Sequence, residues 1–333
     1  MTVLCPEKTQ AIPLWRQIQR GNFTQIEPLL EFLELSDALK KRVLKQPRFI
    51  LNLPKRLAAK IAKNTLDDPI LRQFVPLEEE LAITPGFVTD PVQDQRFKKT
   101  KKILHKYQGR ALVVATSACA MHCRYCFRQN FPYETEEKSF DNEIAYIAQD
   151  PTIAEIILSG GDPLSLSDGA LVTFFRALEA IPHLKRIRFH SRFPVGIPER
   201  IDDSFLDLLE NSSKQMVFIV HVNHPRELDQ DVVGGLKKIQ SLGIPVLNQS
   251  VLLKGVNDDE QTILSLSEEL LNAGVIPYYL HALDPVQGTS HFAVSDERGL
   301  QLIRHIQENL SGFGVPRFAR EEPGMPSKTF ITY

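Results

Sequence analysis

The first hundred residues carry apolar side chains at the three-to-four-residue spacing of amphipathic helices, with no run of alternating β-branched residues. This spacing predicts helices over 23–33, 38–44 and 54–63. Pro54 suits the first turn of the third helix, because proline lacks the amide hydrogen that a first turn leaves unpaired. We therefore predict a helical N-terminal domain over residues 1–100.

After residue 110 the pattern changes to short apolar runs separated by amphipathic stretches. The runs recur roughly every 30 residues, which is the length of a β-strand and its crossover helix. Strands are predicted at 112–115, 155–159, 186–189, 216–220, 244–247 and 276–280, and helices at 170–181, 205–211, 227–242, 260–272 and 297–310. Alternating strands and helices favour a parallel sheet.

Polar residues follow the predicted strands, and the carboxyl ends of parallel strands meet at one edge of a sheet or barrel. Enzymes with barrel folds carry their active sites at that edge. Six strand–helix units predict an α/β fold, a partial (β/α)6 barrel over residues 101–314. A short C-terminal segment follows over 315–333. A doubly wound open sheet is the alternative architecture.

Three cysteines, Cys119, Cys123 and Cys126, lie within eight positions directly after the first predicted strand. Soft thiolates select iron–sulfur clusters, zinc or copper(I). Three protein ligands leave one coordination position open on a cubane cluster or a tetrahedral zinc ion. The alternatives are a Cys3His zinc site that uses His122, or three packed cysteines. Chelation by His122 together with the adjacent Cys123 is sterically awkward.

Composition limits the classes of function. Lys and Arg total 39 against 41 Asp and Glu, giving a net charge of -2, so no overall basic charge attracts nucleic acid. The N-terminal residues lack the pattern of a signal peptide, and no stretch has the length of a membrane span. We expect a cytoplasmic protein. Cys5 is the one cysteine outside the trio, and we expect a free thiol with no disulfide framework.

Three further features are ambiguous from the residues alone. Gly160 and Gly161 could let main-chain amides approach a ligand or could form a tight turn. His221 and His224 could suggest a metal pair, but no further ligand completes it. Lys328 follows a strand-like segment in a Pro/Gly-rich turn, and by itself it is one lysine among many.

Many blocks between residues 67 and 329 resemble the lysine 2,3-aminomutase family of radical S-adenosylmethionine (SAM) enzymes. The resemblance is closest to the short bacterial branch that acts on elongation factor P. The cysteine spacing C-x3-C-x2-C is the superfamily signature. The other matching blocks are DDPILRQF (67–74), PGFVTDP (85–91), LHKYQGRA (104–111), SGGDPL (159–164), HSR (190–192), NQSVLLKGVND (248–258) and PSKT (326–329).

This resemblance implies three cofactors. The cysteines would hold a 4Fe-4S cluster whose open iron site binds SAM. Residues implied to contact SAM are Ser159, Gly160, Gly161, Asp162, Arg192, His221 and Gln249. Pyridoxal 5′-phosphate (PLP) would be bound through Lys328, with Lys106, Tyr107 and Arg110 near its phosphate. Arg128 would pair with the substrate carboxylate, and Asp284 and Glu321 with the distal ammonium of L-lysine.

The implied reaction is an isomerisation of α-lysine to β-lysine by a radical 1,2-amino shift. The implied partners are an electron donor such as a flavodoxin or ferredoxin, and elongation factor P with its lysyl ligase. Two acids around one ammonium argue for a diamino acid. The alternatives are an aminomutase for another amino acid such as glutamate, a radical SAM enzyme without PLP, or a non-catalytic iron–sulfur or zinc protein.

Two residues depart from the longer family members. Lys106 stands where they carry arginine, and Glu321 stands where they carry aspartate, which adds a methylene and could loosen the substrate site. The cysteines of their C-terminal zinc segment have no counterpart after Lys328. We therefore expect no structural zinc, and the oligomeric state stays open.

Overall fold

The structure, a computed structural model, describes residues 12–134 and 138–332. One sheet organises the chain, and its spatial order follows the sequence order. Its strands are β1 (Ile103–Tyr107), β2 (Arg110–Thr116), β3 (Glu155–Gly160), β4 (Arg186–Ser191), β5 (Gln215–Val220), β6 (Val246–Val251), β7 (Ile276–His281), β8 (Arg317–Arg320) and β9 (Thr329–Phe330). Strands β2 to β8 pair in parallel, while β1 and β9 add antiparallel edges.

The predicted α/β fold, a partial (β/α)6 barrel, is confirmed, and its sheet is open and mostly parallel. The six predicted strands correspond to β2–β7, and the strand-like segment that ends at Ala319 forms β8. The alternative, a doubly wound sheet, is wrong, because such sheets reverse their strand order and this one does not. The sequence analysis missed β1, which turns into β2 at Gly109, where φ is 79°. Glycine suits that left-handed conformation.

Helices, most of them amphipathic, connect the parallel strands. They are α6 (Asp141–Gln149), α7 (Asp168–Glu179), α8 (Phe193–Gly196), α9 (Asp203–Glu210), α10 (Gln230–Ser241), α11 (Glu260–Asn272) and α12 (Asp296–Asn309). Asp202, Asp229 and Asp259 cap the starts of α9, α10 and α11 by accepting a hydrogen bond from a backbone amide. The helix predicted at 227–242 begins three residues later than expected, at Gln230, because Asp229 is its cap. No helix in the described part of the chain combines the length and the apolar composition of a membrane span.

From residue 12 onward, five short helices precede the sheet: α1 (Leu14–Arg20), α2 (Ile26–Phe32), α3 (Asp37–Lys40), α4 (Lys55–Ala59) and α5 (Pro69–Phe74). The three helices predicted in this region correspond to α2, α3 and α4 and are shorter than predicted, because helix-like apolar spacing continues into turns that also face the core. The ring of Trp15 is fully buried and meets Phe193 edge-on at 5.5 Å between ring centroids. One hydrophobic cluster thus includes residues from α1 and from the sheet. The division into domains at residues 100 and 314 stays a prediction, and Cys5 lies outside the described residues.

Candidate active site

A cavity of about 560 Å³ opens at the carboxyl edge of the parallel strands and continues down between their inner faces. Every residue that the sequence analysis assigned to a metal, cofactor or substrate lines it: Lys106, Tyr107, Arg110, Cys119, Cys123, Cys126, Arg128, Ser159, Gly160, Gly161, Asp162, Arg192, His221, Gln249, Asp284, Glu321 and Lys328. The structure therefore brings together residues that are up to 222 positions apart in the chain, from Lys106 to Lys328. The role of each residue stays a prediction.

The cysteine loop, residues 117–126, leaves β2 and is held by the N-terminal segment. Asn52 Nδ2 and Gln19 Nε2 donate to the Cys119 carbonyl at 3.1 and 3.3 Å, and Asn22 Nδ2 donates to the Ala120 carbonyl at 2.8 Å. Because a loop this irregular has few hydrogen bonds of its own, these bonds fix its path. The N-terminal segment thus supports the cysteine loop from outside.

All three cysteines are free thiols. Burial, reinforced by Asp162 and the other two cysteines, raises the pKa of Cys119 well above its usual value. Burial and Cys123 raise the pKa of Cys126 to about 11. Metal ligation requires thiolates, so cluster insertion must release protons from this loop.

His122 makes its contacts with the N-terminal segment. Its Nδ1 hydrogen-bonds to the Ile50 carbonyl at 2.9 Å, and its ring stacks on Phe49 at 4.7 Å. This arrangement speaks against the Cys3His alternative. Among the residues that the structure describes, no three His, Cys, Asp or Glu side chains are arranged to hold a single metal ion. A cubane cluster differs, since each thiolate binds a separate iron atom.

Arg192 joins the cysteine loop to a buried ion pair. Its Nη1 donates to Cys123 Sγ at 2.9 Å and to the Tyr125 hydroxyl, and its Nη2 donates to Glu227 Oε2 at 2.8 Å. Gln73 accepts a further bond from Nη2 at 2.6 Å. The Glu227 side chain is fully buried. A hydrogen bond to a cluster-ligand sulfur is one of the features that set a cluster's potential.

Gly160 and Gly161 let two loops meet. A Cβ on Gly161 would lie 2.4 Å from the Ala118 carbonyl oxygen, and one on Gly160 would lie 2.8 Å from the Thr116 carbonyl oxygen. The Gly161 amide donates to that Thr116 oxygen at 2.6 Å. The glycines are therefore required for close packing against the cysteine loop, whereas their predicted contact with SAM stays a prediction.

Asp162 anchors the start of the next loop. Its carboxylate accepts hydrogen bonds from the Leu164, Arg192 and Phe193 amides and from the Ser191 hydroxyl, at 2.8–3.0 Å. Burial raises its pKa to about 6. Both carboxylate oxygens thus already have protein donors, and Asp162 fixes the backbone on either side of Arg192.

Three histidines with buried Nε2 atoms line the cavity, and the sequence analysis assigned a role only to His221. The Nε2 atoms of His190, His221 and His281 are buried and have no hydrogen-bond partner. Burial lowers the pKa of His221 to about 3 and the pKa values of the other two well below the usual value. Neutral rings with unpaired nitrogens are ready to hydrogen-bond a ligand. His224 instead accepts from the Arg226 amide at 3.1 Å.

Lys328 lies beside Glu321 in the same cavity. Its Nζ is 2.9 Å from Glu321 Oε2, while Tyr107 donates to Glu321 Oε1 at 2.7 Å. Burial opposes ionisation of Glu321, but Lys328, Tyr107 and Lys106 outweigh it and lower its pKa. Asp284 behaves differently, because burial raises its pKa to about 6. The two acids therefore differ in charge near pH 6.

Asp94, which the sequence analysis missed, connects two predicted site residues. Its carboxylate accepts from Arg128 Nε at 2.8 Å and lies 2.7 Å from Lys106 Nζ. Lys106 also donates to the Val92 carbonyl at 2.8 Å and lies 3.5 Å from Glu321. Lys106 thus has one hydrogen bond to a carbonyl and two acids beside its ammonium, so its predicted contact with a phosphate would compete with these contacts.

Two arginines lie at the deep end of the cavity. Arg110 begins β2, and its guanidinium stacks over the Tyr107 ring at 4.5 Å. Arg188 on β4 donates from Nη2 to Glu155 Oε1 at 2.7 Å, and its buried Nε has no hydrogen-bond partner. Arg186 shares Glu155 but is largely exposed and does not line the cavity. Arg188 had no role in the sequence analysis.

Comparison with family models matches residues 113–266 to the Radical SAM superfamily. That superfamily binds a 4Fe-4S cluster and SAM. The donor set of this cavity fits the cluster, because three free thiols converge on it and a guanidinium faces one sulfur. The unpaired histidine nitrogens fit a polar ligand such as SAM.

Curated proteins match the chain over almost its full length. An L-lysine 2,3-aminomutase of Haemophilus influenzae is 42% identical over 319 residues, covering 95% of this chain and 94% of the relative. One of Escherichia coli is 43% identical over 84% of this chain and 83% of its own. One of Buchnera aphidicola is 36% identical over 92% of each. The chain therefore belongs to the L-lysine 2,3-aminomutase family and is a radical SAM isomerase of the aminomutase class.

Proposed function

We propose that the enzyme is a PLP-dependent L-lysine 2,3-aminomutase that converts α-lysine to β-lysine. The observation that carries the proposal is the amine of Lys328 beside Glu321 and Tyr107, in one cavity with three free thiols. An amine that can bind an aldehyde and a thiol set that can bind a cluster are the two anchors this chemistry needs.

The deep end of the cavity supports the choice of PLP. PLP would bind through Lys328. Arg110 and Arg188 would bind its phosphate, since guanidinium groups pair well with phosphate oxygens. When bound, PLP delocalises an unpaired electron next to the migrating nitrogen, and SAM on the reduced cluster supplies the hydrogen-abstracting radical. The protein residues bind, orient and exclude water around these groups.

The charges around Lys328 support lysine as the substrate. Arg128 would pair with the α-carboxylate, and Asp94 would hold its guanidinium in place through the 2.8 Å bond to Nε. Asp284 and Glu321 would bind the distal ammonium. In the structure Lys328 Nζ lies 2.9 Å from Glu321 Oε2, and this contact supports Glu321 as a partner for an ammonium group. A glutamate substrate would place a second carboxylate against these two acids, so like charges disfavour it.

Two wider assignments follow from the resemblance to the short bacterial branch. The β-lysine would be transferred by a separate ligase to elongation factor P. The electron that activates SAM would come from a flavodoxin or ferredoxin. The near-complete coverage of the Haemophilus influenzae relative supports this branch.

The test is anaerobic reconstitution with iron, sulfide, PLP, SAM and a chemical reductant, followed by chromatography of α- and β-amino acids. L-lysine should yield β-lysine and L-glutamate should yield no product. Asp284→Asn should raise the KM for lysine, whereas the exposed control Glu210→Gln should match the parent enzyme. Unchanged lysine in the presence of a reducible cluster and bound PLP would refute the proposal.

A further inference from the structure

A second, smaller cavity of about 440 Å³ lies on the outer side of the cysteine loop. Arg16 and Arg20 of α1 line it together with Ile50, Asn52 and His122. We call it the outer pocket. It is separate from the active-site cavity, although His122 lines both.

The outer pocket is positively charged and partly apolar. Neither Arg16 nor Arg20 has an Asp or Glu partner within 4.0 Å among the described residues, and the pocket lining itself contains no acidic residue. The side chain of Ile50 is 64% exposed at the rim. Uncompensated cations around an exposed apolar residue favour an acidic partner surface.

One layer of side chains separates the outer pocket from the predicted cluster ligands. Asn52, in the pocket wall, donates to the Cys119 carbonyl at 3.1 Å, and its own carbonyl accepts from the His122 amide at 2.9 Å. His122 directly precedes Cys123 in the chain. The route from this surface to the thiols is therefore short and continuous through hydrogen bonds.

The inner side of the loop faces the cavity that SAM and substrate would fill, so an electron donor must approach from the outer side. We propose that the outer pocket is the docking surface for an acidic one-electron carrier protein. This inference rests on the proposed function. In the step, the carrier is oxidised by one electron and the 4Fe-4S cluster changes from the 2+ to the 1+ state. A small, transient, electrostatically steered contact is typical of such encounters.

The test compares two reductants on the anaerobically reconstituted full-length enzyme. One is the hydroquinone of an acidic flavodoxin and the other is the photogenerated deazaflavin radical, which is small and reaches the cluster without docking. Stopped-flow absorbance follows cluster bleaching at low ionic strength. The variant is Arg16→Gln/Arg20→Gln. The matched control is Lys185→Gln/Lys237→Gln, which removes two exposed charges far from the cysteine loop, one of them just before β4.

The double-arginine variant should be reduced by flavodoxin at least about tenfold more slowly than the parent enzyme, since electrostatic steering contributes factors of 10 or more. Its reduction by deazaflavin should be unchanged, and the lysine control should match the parent with both reductants. Unchanged flavodoxin kinetics in the arginine variant, or equal slowing with both reductants, would overturn the docking surface. A parent cluster that is reduced normally yet yields no β-lysine would count against the proposed function alone.

Discussion

The two ends of the active-site cavity are built in different ways. The cysteine end is one contiguous loop whose backbone accepts neutral hydrogen bonds from Gln19, Asn22 and Asn52. Two buried arginines, Arg124 paired with Glu80 and Arg192 paired with Glu227, also hold it, and burial keeps the pKa of Cys119 and Cys126 high. The lysine end is assembled from distant segments and is held by charge pairs around Asp94 and Glu321. The first end is arranged to receive metal, whereas the second is arranged to receive a charged organic ligand.

Because of this difference, we expect a substitution at one end of the cavity to leave the function of the other end intact. Loss of a charge at the lysine end should leave the cluster intact, since the backbone bonds of the cysteine loop do not depend on it. Loss of the Arg192 network should affect the cluster and the fold together, because Arg192 contacts both Cys123 and the buried Glu227.

The largest difference between the two ends is expected for Lys328→Ala. Without the amine, PLP has no covalent anchor, so β-lysine formation should fall on the order of 10³-fold or more. The cluster absorbance should match that of the parent enzyme. Visible spectra of the reconstituted variant, with and without PLP, measure both ends at once. A variant that loses the cluster together with PLP would show that the ends are not independent.

The second-largest effect is expected for Glu227→Gln, which leaves the buried Arg192 without its carboxylate partner. Breaking a buried pair on one side costs about 3 kcal/mol, so the free energy of unfolding should fall by that order. Chemical denaturation of the apoprotein measures it, with Glu210→Gln as the exposed control. Because a negative charge is removed near Cys123, the reduction potential of the reconstituted cluster should also rise. A stability equal to that of the control would contradict the network.

A pH profile separates the two acids of the lysine end. Asp284 is neutral below its pKa of about 6 and charged above it, while the pKa of Glu321 is lowered, so Glu321 stays ionised. The kcat/KM for lysine should therefore fall as the pH drops through 6, by up to about tenfold per unit. In Asp284→Asn this fall in kcat/KM should disappear. If the fall persisted in the variant, another group would be the one that titrates.

The smallest effect is expected at the deep end, where β4 offers a matched pair. Arg188→Gln should weaken PLP binding about tenfold, the value of one charge-assisted hydrogen bond. Arg186→Gln should not weaken it, because Arg186 shares Glu155 but does not line the cavity. Absorbance titrations with PLP and with pyridoxal, which lacks the phosphate, measure the difference. If Arg188→Gln weakened the binding of pyridoxal as much as that of PLP, Arg188 would not contact the phosphate.

The same contrast explains how much the sequence could predict. The cysteine loop and strands β2–β7 were predictable because their signals are local: a fixed spacing and a recurring apolar run. The network around Arg192 was not, since Gln73 and Glu227 lie 154 residues apart and meet only in the folded chain. Asp94 was missed for the same reason, and Lys328 became a candidate only through the family resemblance.

The central claim is that both ends act on one lysine molecule, and an isotope experiment tests it most directly. The reconstituted enzyme is given L-lysine labelled with ¹⁵N at the α-nitrogen, and the product is analysed by nuclear magnetic resonance. The account predicts β-lysine that carries the label on C3. Recovery of α-lysine alone, with the cluster reduced and PLP bound to Lys328, would contradict it.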